Sequence, residues 1–174
     1  MSLRLLALKH ANAYADKHTH EEGGSNRGPD VDHFQRVLGL DPADENPWCA
    51  CFVTTCLCEA AFDLHPAMNG DFPQALAWLK ANFINCSALV ADMAVDAQNR
   101  GIWKGADWNP KPGSLVCYTF PTGHHIGFVR GLQGAILATT EGNTGDGHAR
   151  DGDGVYYRTR PLTFVWGYID LGDS

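Results

Sequence analysis

The order of the hydrophobic patterns along the chain constrains the fold more than any other feature. Up to Gly101, apolar residues recur at three- and four-residue spacing, which predicts helices. After the turn at Pro110–Gly113 the chain changes to short runs rich in β-branched and aromatic residues, separated by glycine-containing turns. Helices followed by strands joined through tight turns predict an α+β domain, with N-terminal helices packed on a C-terminal antiparallel β-sheet.

The periodicity also gives approximate bounds for the elements. Helices are expected at about 2–17, 30–38, 49–62, 72–83 and 87–99. Strands are expected at 114–119, 125–132, 135–141, 155–160 and 165–171, with a hairpin turn at 131–134. The 174 residues contain no linker, repeat or low-complexity tract, so we predict one domain over 1–174.

The charge balance narrows the choice of partners. Twenty acidic residues against thirteen basic ones give a formal net charge of -7, which disfavours nucleic acid and anionic membrane surfaces. No apolar run approaches the roughly 20 residues of a membrane helix, so we predict no membrane insertion. Leu3–Leu8, broken by Lys9 and His10, is too short for the apolar core of a secretory signal. We therefore expect synthesis in the cytoplasm without a signal peptide.

Cys49 stands out among the six cysteines, four of which lie between positions 49 and 58. Asn46 is a good helix N-cap and Pro47 suits the first helical position, which would place Cys49 in the first turn of a helix. The positive end of a helix favours the thiolate, the nucleophilic form of a thiol. We expect the other cysteines to be reduced and mostly buried. Cys49 and Cys51 would point about 200° apart on a helix, which disfavours a shared metal ion.

A nucleophilic thiolate needs a base, and the base needs an orienting partner. His125 opens a predicted strand, and Glu141 ends the next one. A hairpin centred on Gln133 would place His125 directly across from Glu141, with both side chains on one face of the sheet. That shared face survives a register error only if the error is an even number of residues. His124 is the alternative base if the register slips.

Four ordered segments of the chain resemble the signature of the CHAP domain. They are Pro47–Val53, Pro112–Val116, His125–Val129 and Glu141–Thr144. Glu22–Pro29 and Asp151–Tyr156 are similar to segments of phage endolysin-type members. The likeness covers about residues 21–171 and departs from the family at Ser114, where Asp usually follows Pro-Gly. We expect that substitution to affect the turn more than the chemistry.

The resemblance implies a papain-like (NlpC/P60-like) cysteine amidase or peptidase that acts on peptidoglycan. Carried over by position, Cys49 is the nucleophile, His125 the base and Glu141 the orienting carboxylate, while Asn143 shares that role or binds substrate. This chemistry uses no cofactor and no metal. The bond that is cut, between sugar and peptide or within the peptide, stays open. So does the choice between an endolysin-like lytic enzyme and a secreted antibacterial toxin.

The implied partner is bacterial peptidoglycan, reached at the cell wall or in the periplasm. Holin-type release or specialised secretion would deliver the protein there. A toxin would also imply an inhibitor or immunity protein. The sequence does not indicate an oligomeric state.

Two other functions stay open. A zinc-dependent amidase would need histidine and cysteine ligands. Candidates in the loops are His18, His20, Glu21, Glu22 and His148. Solvated loop residues are the simpler interpretation, because no fixed ligand spacing completes the set. A non-catalytic wall-binding protein on the same scaffold would have no need of the Cys, His and Glu together. Asp151–Gly154 resembles the start of a calcium loop without its later ligands, so we predict a turn there.

Overall fold

A computed structural model describes residues 1–145 and 152–173. Its helices are α1 (Leu3–Asp16), α2 (Pro29–Val37), α3 (Cys49–Leu64), α4 (Phe72–Asn82) and α5 (Val90–Asn99). Its strands are β1 (Trp103–Gly105), β2 (Leu115–Phe120), β3 (Gly123–Gln133), β4 (Ile136–Thr144), β5 (Gly154–Pro161) and β6 (Val165–Ile169). Short 3-10 helices lie at Pro42–Asp44, Pro66–Met68 and Leu162–Phe164. The predicted α+β class, with helices preceding an antiparallel sheet, is confirmed.

The six strands form one sheet in the order β1-β6-β2-β3-β4-β5, and neighbouring strands run antiparallel. The short edge strand β1 was not predicted, since three residues carry too little alternation to be read as a strand. Strands β6, β2, β3 and β4 each have a neighbouring strand on both edges. Residues on these strands are therefore the best shielded from solvent on both edges.

Helix α3 is the central element of the helical layer. From Cys49 to Ala61 every side chain except that of Glu59 is buried. The helix packs against α1, α2 and α4 and against strands β3 and β4. Such a helix is apolar all round because it has protein on every side. None of the helices in the described ranges combines the length and apolar character needed to cross a lipid bilayer.

The two faces of the sheet contribute to different apolar clusters. Leu115, Cys117 and Phe128 point toward the helices and share the large core with α3. The opposite face carries a second cluster. Its members are Val116, Tyr118, Phe120, Val129, Leu137, Val165 and Tyr168. Alternate residues of β2, β3 and β4 thus face two separate interiors, as the period of a strand requires.

The β3–β4 hairpin corrects the predicted register. Gln133 pairs with Ile136, so the turn lies later than a hairpin centred on Gln133, and the predicted direct pairing of His125 with Glu141 is wrong. The register shifts between Val129 and Gly131, where Arg130 is an extra residue in β3. Beyond this bulge Val129 pairs with Thr139. Because alternate residues share a face, His125 and Glu141 lie on the same side of the sheet, as predicted.

Candidate active site

Cys49 is the first residue of α3, and Trp48 is the N-cap residue. The prediction that Asn46 caps the helix and Pro47 opens it is wrong, since α3 has no side-chain cap. The placement of Cys49 in the first turn is confirmed. Because first-turn N–H groups lack intrahelical acceptors, the start of α3 offers free backbone donors beside the thiol. The buried Trp48 donates its indole N–H to Glu21 at 2.9 Å, which ties the preceding loop to this helix end.

His125 and Glu141 form a fully buried hydrogen-bonded pair. The distance from His125 Nε2 to Glu141 Oε2 is 2.9 Å. A carboxylate only accepts hydrogen bonds, so Nε2 must carry the proton and donate it. In the neutral ring the lone pair is then on Nδ1. That atom has no hydrogen-bond partner among the described residues, which leaves it able to take a proton.

The Cys49 thiol lies beside this imidazole. Burial by itself lowers the pKa of His125, but the adjacent Cys49 and Glu141 outweigh it and raise the pKa to about 9. The side chain of Cys49 is 6% exposed, whereas those of His125 and Glu141 are fully enclosed. The structure thus brings together three residues that are far apart in sequence, in the order thiol, imidazole and carboxylate.

Glu141 accepts hydrogen bonds from four side chains. Besides His125, its partners are Thr139 at 2.6 Å and Tyr118 at 3.2 Å, and Arg160 Nη2 at 2.6 Å. Burial alone would raise the pKa of Glu141, but the hydrogen bonds and positive charges of His125 and Arg160 hold it well below its usual range. Glu141 is therefore a carboxylate, and its orientation is fixed from several directions.

Gly127 makes room for this carboxylate. A Cβ atom at Gly127 would lie 2.6 Å from Cγ of Glu141, closer than real Cβ contacts allow. Its φ is not in the left-handed region, so the requirement for glycine here is the close approach of Glu141 rather than backbone conformation. The His-x-Gly spacing in this strand thus places the base and the space for its partner on one face.

Arg160 on β5 is the residue that the sequence reasoning missed. It is 1% exposed and also donates to Thr144 Oγ1 at 3.0 Å. Arg160 pairs with the inward-facing Leu137 across β4 and β5. A cation at an inward strand position is a signal of a buried acidic partner, because an unpaired buried charge is very costly. The arginine within the predicted strand 155–160 was therefore an available sign of a buried acidic partner, although it did not identify Glu141 as that partner.

Asn143 is on β4, and its side chain contacts the backbone at the start of α3 rather than the imidazole of His125. In the amide orientation that satisfies both groups, it accepts from Trp48 N at 3.1 Å and donates to Gly152 O at 2.9 Å. Its φ of 53° is in the left-handed region, which asparagine tolerates better than most residues. Within the described residues Asn143 has no hydrogen bond to His125 or Glu141. Its geometry supports the backbone next to Cys49.

A groove of about 400 Å³ opens over Cys49. Its walls come from the segment before α3, the start of α5 and the start of β3. The lining residues are Leu40, Asn46, Pro47, Cys49, Ala88, Leu89, Val90, Ala91 and His124. None of these side chains is a carboxylate, lysine or arginine, so the groove offers an apolar wall and few polar groups.

His124 occupies a different position from His125. Its ring stacks on Trp166 with centroids 4.6 Å apart, and its Nδ1 is 3.2 Å from Thr119 Oγ1. Among the described residues only His125 hydrogen-bonds Glu141 through an imidazole. The arrangement therefore gives His124 the place of a groove-lining residue and His125 the place of the base.

The remaining candidates do not gather into a site. All six cysteines, each in the described part of the chain, are free thiols. His20 contacts the carbonyl of His18 at 2.8 Å, and its Nε2 is 3.8 Å from Glu22. Within 1–145 and 152–173 no three His, Cys, Asp or Glu side chains group as metal ligands would. His148 and Asp151 lie outside the described residues.

Comparisons of the chain with protein-family models, with curated proteins and with solved structures give no match.

Proposed function

We propose that the chain hydrolyses an amide bond of bacterial peptidoglycan by cysteine chemistry. The observation that carries the reaction type is the buried Cys49–His125–Glu141 series, with the carboxylate 2.9 Å from the imidazole and the thiol beside the ring. Such a series is what nucleophilic catalysis by a thiolate needs. The choice of peptidoglycan rests on the resemblance of four ordered sequence segments to the CHAP domain.

The reaction follows from the positions of the three groups. His125 Nδ1 takes the thiol proton, and the sulfur of Cys49 forms a bond to the amide carbonyl carbon as the C=O π electrons move to oxygen. The oxyanion then reforms the C=O bond, the C–N bond breaks, and His125 gives its proton to the leaving nitrogen. Water, deprotonated by His125, attacks the thioester, and the thiol leaves as the product carboxylic acid forms. Glu141 keeps Nε2 protonated throughout.

The developing negative charge on oxygen needs donors close to Cys49. The uncapped first turn of α3 supplies backbone N–H groups there, and the Asn46 amide lines the same groove. The carbonyl of Asn46 is held by Gln35 Nε2 at 2.8 Å, which fixes the backbone of this residue. Losing one donor of this kind typically costs about 2.7–4 kcal/mol of barrier. Asn143 positions the helix end that carries these donors.

We also propose that the fold is papain-like, in the manner of the CHAP and NlpC/P60 domains. The support is the arrangement itself: a buried helix carries the thiol at its first residue, and adjacent antiparallel strands carry the imidazole and the carboxylate. The protein would act at the cell wall, as a lytic enzyme or an antibacterial toxin. In the second case an inhibitor or immunity protein is its expected partner.

Mass spectrometry of digested peptidoglycan tests the proposal. The parent chain should release fragments with new amino groups, whose identity locates the bond, and Cys49→Ala should release none above background. Cys51→Ala is the matched control, because it removes a thiol two residues away and should leave the fragments unchanged. Fragments produced equally by Cys49→Ala, or activity lost to chelator and insensitive to thiol alkylation, would refute cysteine chemistry.

A further inference from the structure

Arg160 makes the most extensive contact with Glu141. Its Nε lies 3.1 Å from both carboxylate oxygens, and its Nη2 lies 2.6 Å from Oε2. The guanidinium also sits 5.5 Å from the ring centroid of Tyr118 and 5.7 Å from that of Phe120. Arg160 Nη2 also donates to Thr144 Oγ1 at 3.0 Å. Arg160 is thus contacted by two aromatic rings and Thr144 as well as by the carboxylate.

The two carboxylate oxygens of Glu141 accept hydrogen bonds from different sets of donors, and this affects the imidazole. Oε1 accepts from Thr139, Tyr118 and Arg160 Nε, while Oε2 accepts from His125 and from both Nε and Nη2 of Arg160. A planar fork that reaches both oxygens fixes the rotation of a carboxylate, which a point charge cannot do. The direction in which Oε2 meets His125 Nε2, and hence the direction of Nδ1 toward Cys49, follows from that rotation.

Arg160 also neutralises the negative charge of Glu141 in the buried cluster. The titratable groups that meet here are Cys49 on α3, Tyr118 on β2, His125 on β3, Glu141 on β4 and Arg160 on β5. Burial holds the pKa of Tyr118 well above its usual range, so it is a neutral donor. Glu141 and Arg160 together carry no net charge. A proton can then pass between Cys49 and His125 without leaving an uncompensated charge in the interior.

We infer that Arg160 is a positioning residue for the reaction: it keeps Glu141 ionised and aimed at His125, so that the imidazole faces Cys49. This inference rests on the proposed function. The competing explanation is an ion pair that only joins β4 to β5. A purely structural pair would change stability on mutation without changing how the site responds to pH.

The test compares Arg160→Met and Arg160→Lys with the parent and with Arg130→Met, an exposed arginine whose guanidinium lies 4.1 Å from the ring centroid of Tyr157. Two readouts are recorded across pH 4–9: kcat on solubilised peptidoglycan, and the rate at which iodoacetamide labels Cys49. The second needs no substrate. A parent chain that labels at Cys49 but cuts no peptidoglycan would therefore refute the proposed substrate and still test Arg160.

In Arg160→Met we expect the acid limb of both profiles to move to higher pH by about 1 unit or more, because burial raises the pKa of Glu141 once the arginine no longer opposes it. Arg160→Lys should keep the acid limb of the parent, because it keeps the charge, but lose about tenfold or more in kcat, because it loses the fork. Arg130→Met should match the parent. Folding of each variant is checked by circular dichroism.

Two results would overturn the inference. One is a folded Arg160→Met chain with the pH profiles of the parent. The other applies if Arg160→Met does not fold: an Arg160→Lys chain with the kcat of the parent would show that the two-oxygen contact does not position the carboxylate.

Discussion

The first residue of α3 and the residues that follow it present the same thiol group in two different settings. Cys51 is fully buried in the large core, where burial raises its pKa to about 12. Burial also holds the pKa values of Cys56 and Cys58 well above the usual range. Cys49 instead lines a groove and has the imidazole of His125 beside it. Two residues along one helix thus separate an inert thiol from a candidate nucleophile.

The contrast shows that position relative to the helix end matters more than residue type. A thiol with a pKa near 12 is ionised to only about one part in 10⁵ at pH 7. The apolar neighbours that make Cys51 a good core residue are the reason that it cannot be a nucleophile. Cys49 escapes this because α3 begins at the border between the core and the groove.

The largest effect should appear in thiol labelling of the native protein. Iodoacetamide at pH 7.5 should modify Cys49 roughly 10³-fold faster than Cys51, because Cys49 has access to the groove and a proton acceptor beside it. Peptide mapping by mass spectrometry measures both rates. Cys51→Ala is the control and should label at Cys49 as the parent does. Equal labelling of the two residues in folded protein would remove the contrast altogether.

The next effect separates the two adjacent histidines. His125→Ala should lower kcat on peptidoglycan by about 10²-fold or more, the usual contribution of a general base. His124→Ala should change kcat by only a few-fold, because its ring stacks on Trp166 and it is His125 that hydrogen-bonds Glu141. Initial rates at saturating substrate measure both. A larger loss in His124→Ala than in His125→Ala would reverse the assignment of the base.

The raised pKa of His125 predicts a pH-dependent stability. The folded protein binds this proton more tightly than the unfolded chain, so the stabilisation is complete below about pH 6.5 and is lost as pH rises toward 9. The difference in free energy of unfolding between the parent and His125→Gln should therefore shrink by at most about 3 kcal/mol over that window. Urea unfolding at several pH values measures it.

The thiol sharpens this prediction, because Cys49 is one cause of the raised pKa of His125. In a Cys49→Ala background the same difference should fall less between pH 6.5 and 9. A difference that grows with pH, or that is independent of Cys49, would contradict the contact between thiol and imidazole.

The smallest effect concerns the groove wall. Leu89, the N-cap residue of α5, is 63% exposed at the groove, and Val95 is 54% exposed within α5 and outside the groove. Leu89→Asp should lower kcat/KM on peptidoglycan about three- to tenfold, roughly the 1 kcal/mol expected for a partly buried apolar contact with substrate. Val95→Asp should match the parent. Equal effects of the two substitutions would mean that the groove does not hold substrate.

Much of this arrangement could be read from the sequence, because periodicity fixes which element is which and which face a residue occupies. The shared face of His125 and Glu141 was predicted although the turn was misplaced. The misplaced turn shifts the register by an odd number of residues. The extra residue Arg130 makes the total shift even, so His125 and Glu141 again lie on the same face of the sheet. A bulge has no strong sequence signal, so this correction could not be anticipated.

Other features depended on contacts that no local pattern encodes. Asn46 has good N-cap chemistry, yet the helix begins at Cys49, directly after the fully buried Trp48. Arg160 joins the site from β5 and lies 19 residues after Glu141 in the chain. Its role depends on which strands are neighbours, which only the sheet order reveals.

The enclosure of α3 on all sides has a consequence for control of the molecule. A helix surrounded by α1, α2, α4 and the sheet cannot move away without disrupting the core, so no hinge motion of α3 alone can withdraw the sulfur from the groove. A protein that inhibits this chain by blocking Cys49 would therefore have to enter the groove from outside and cover the thiol in place.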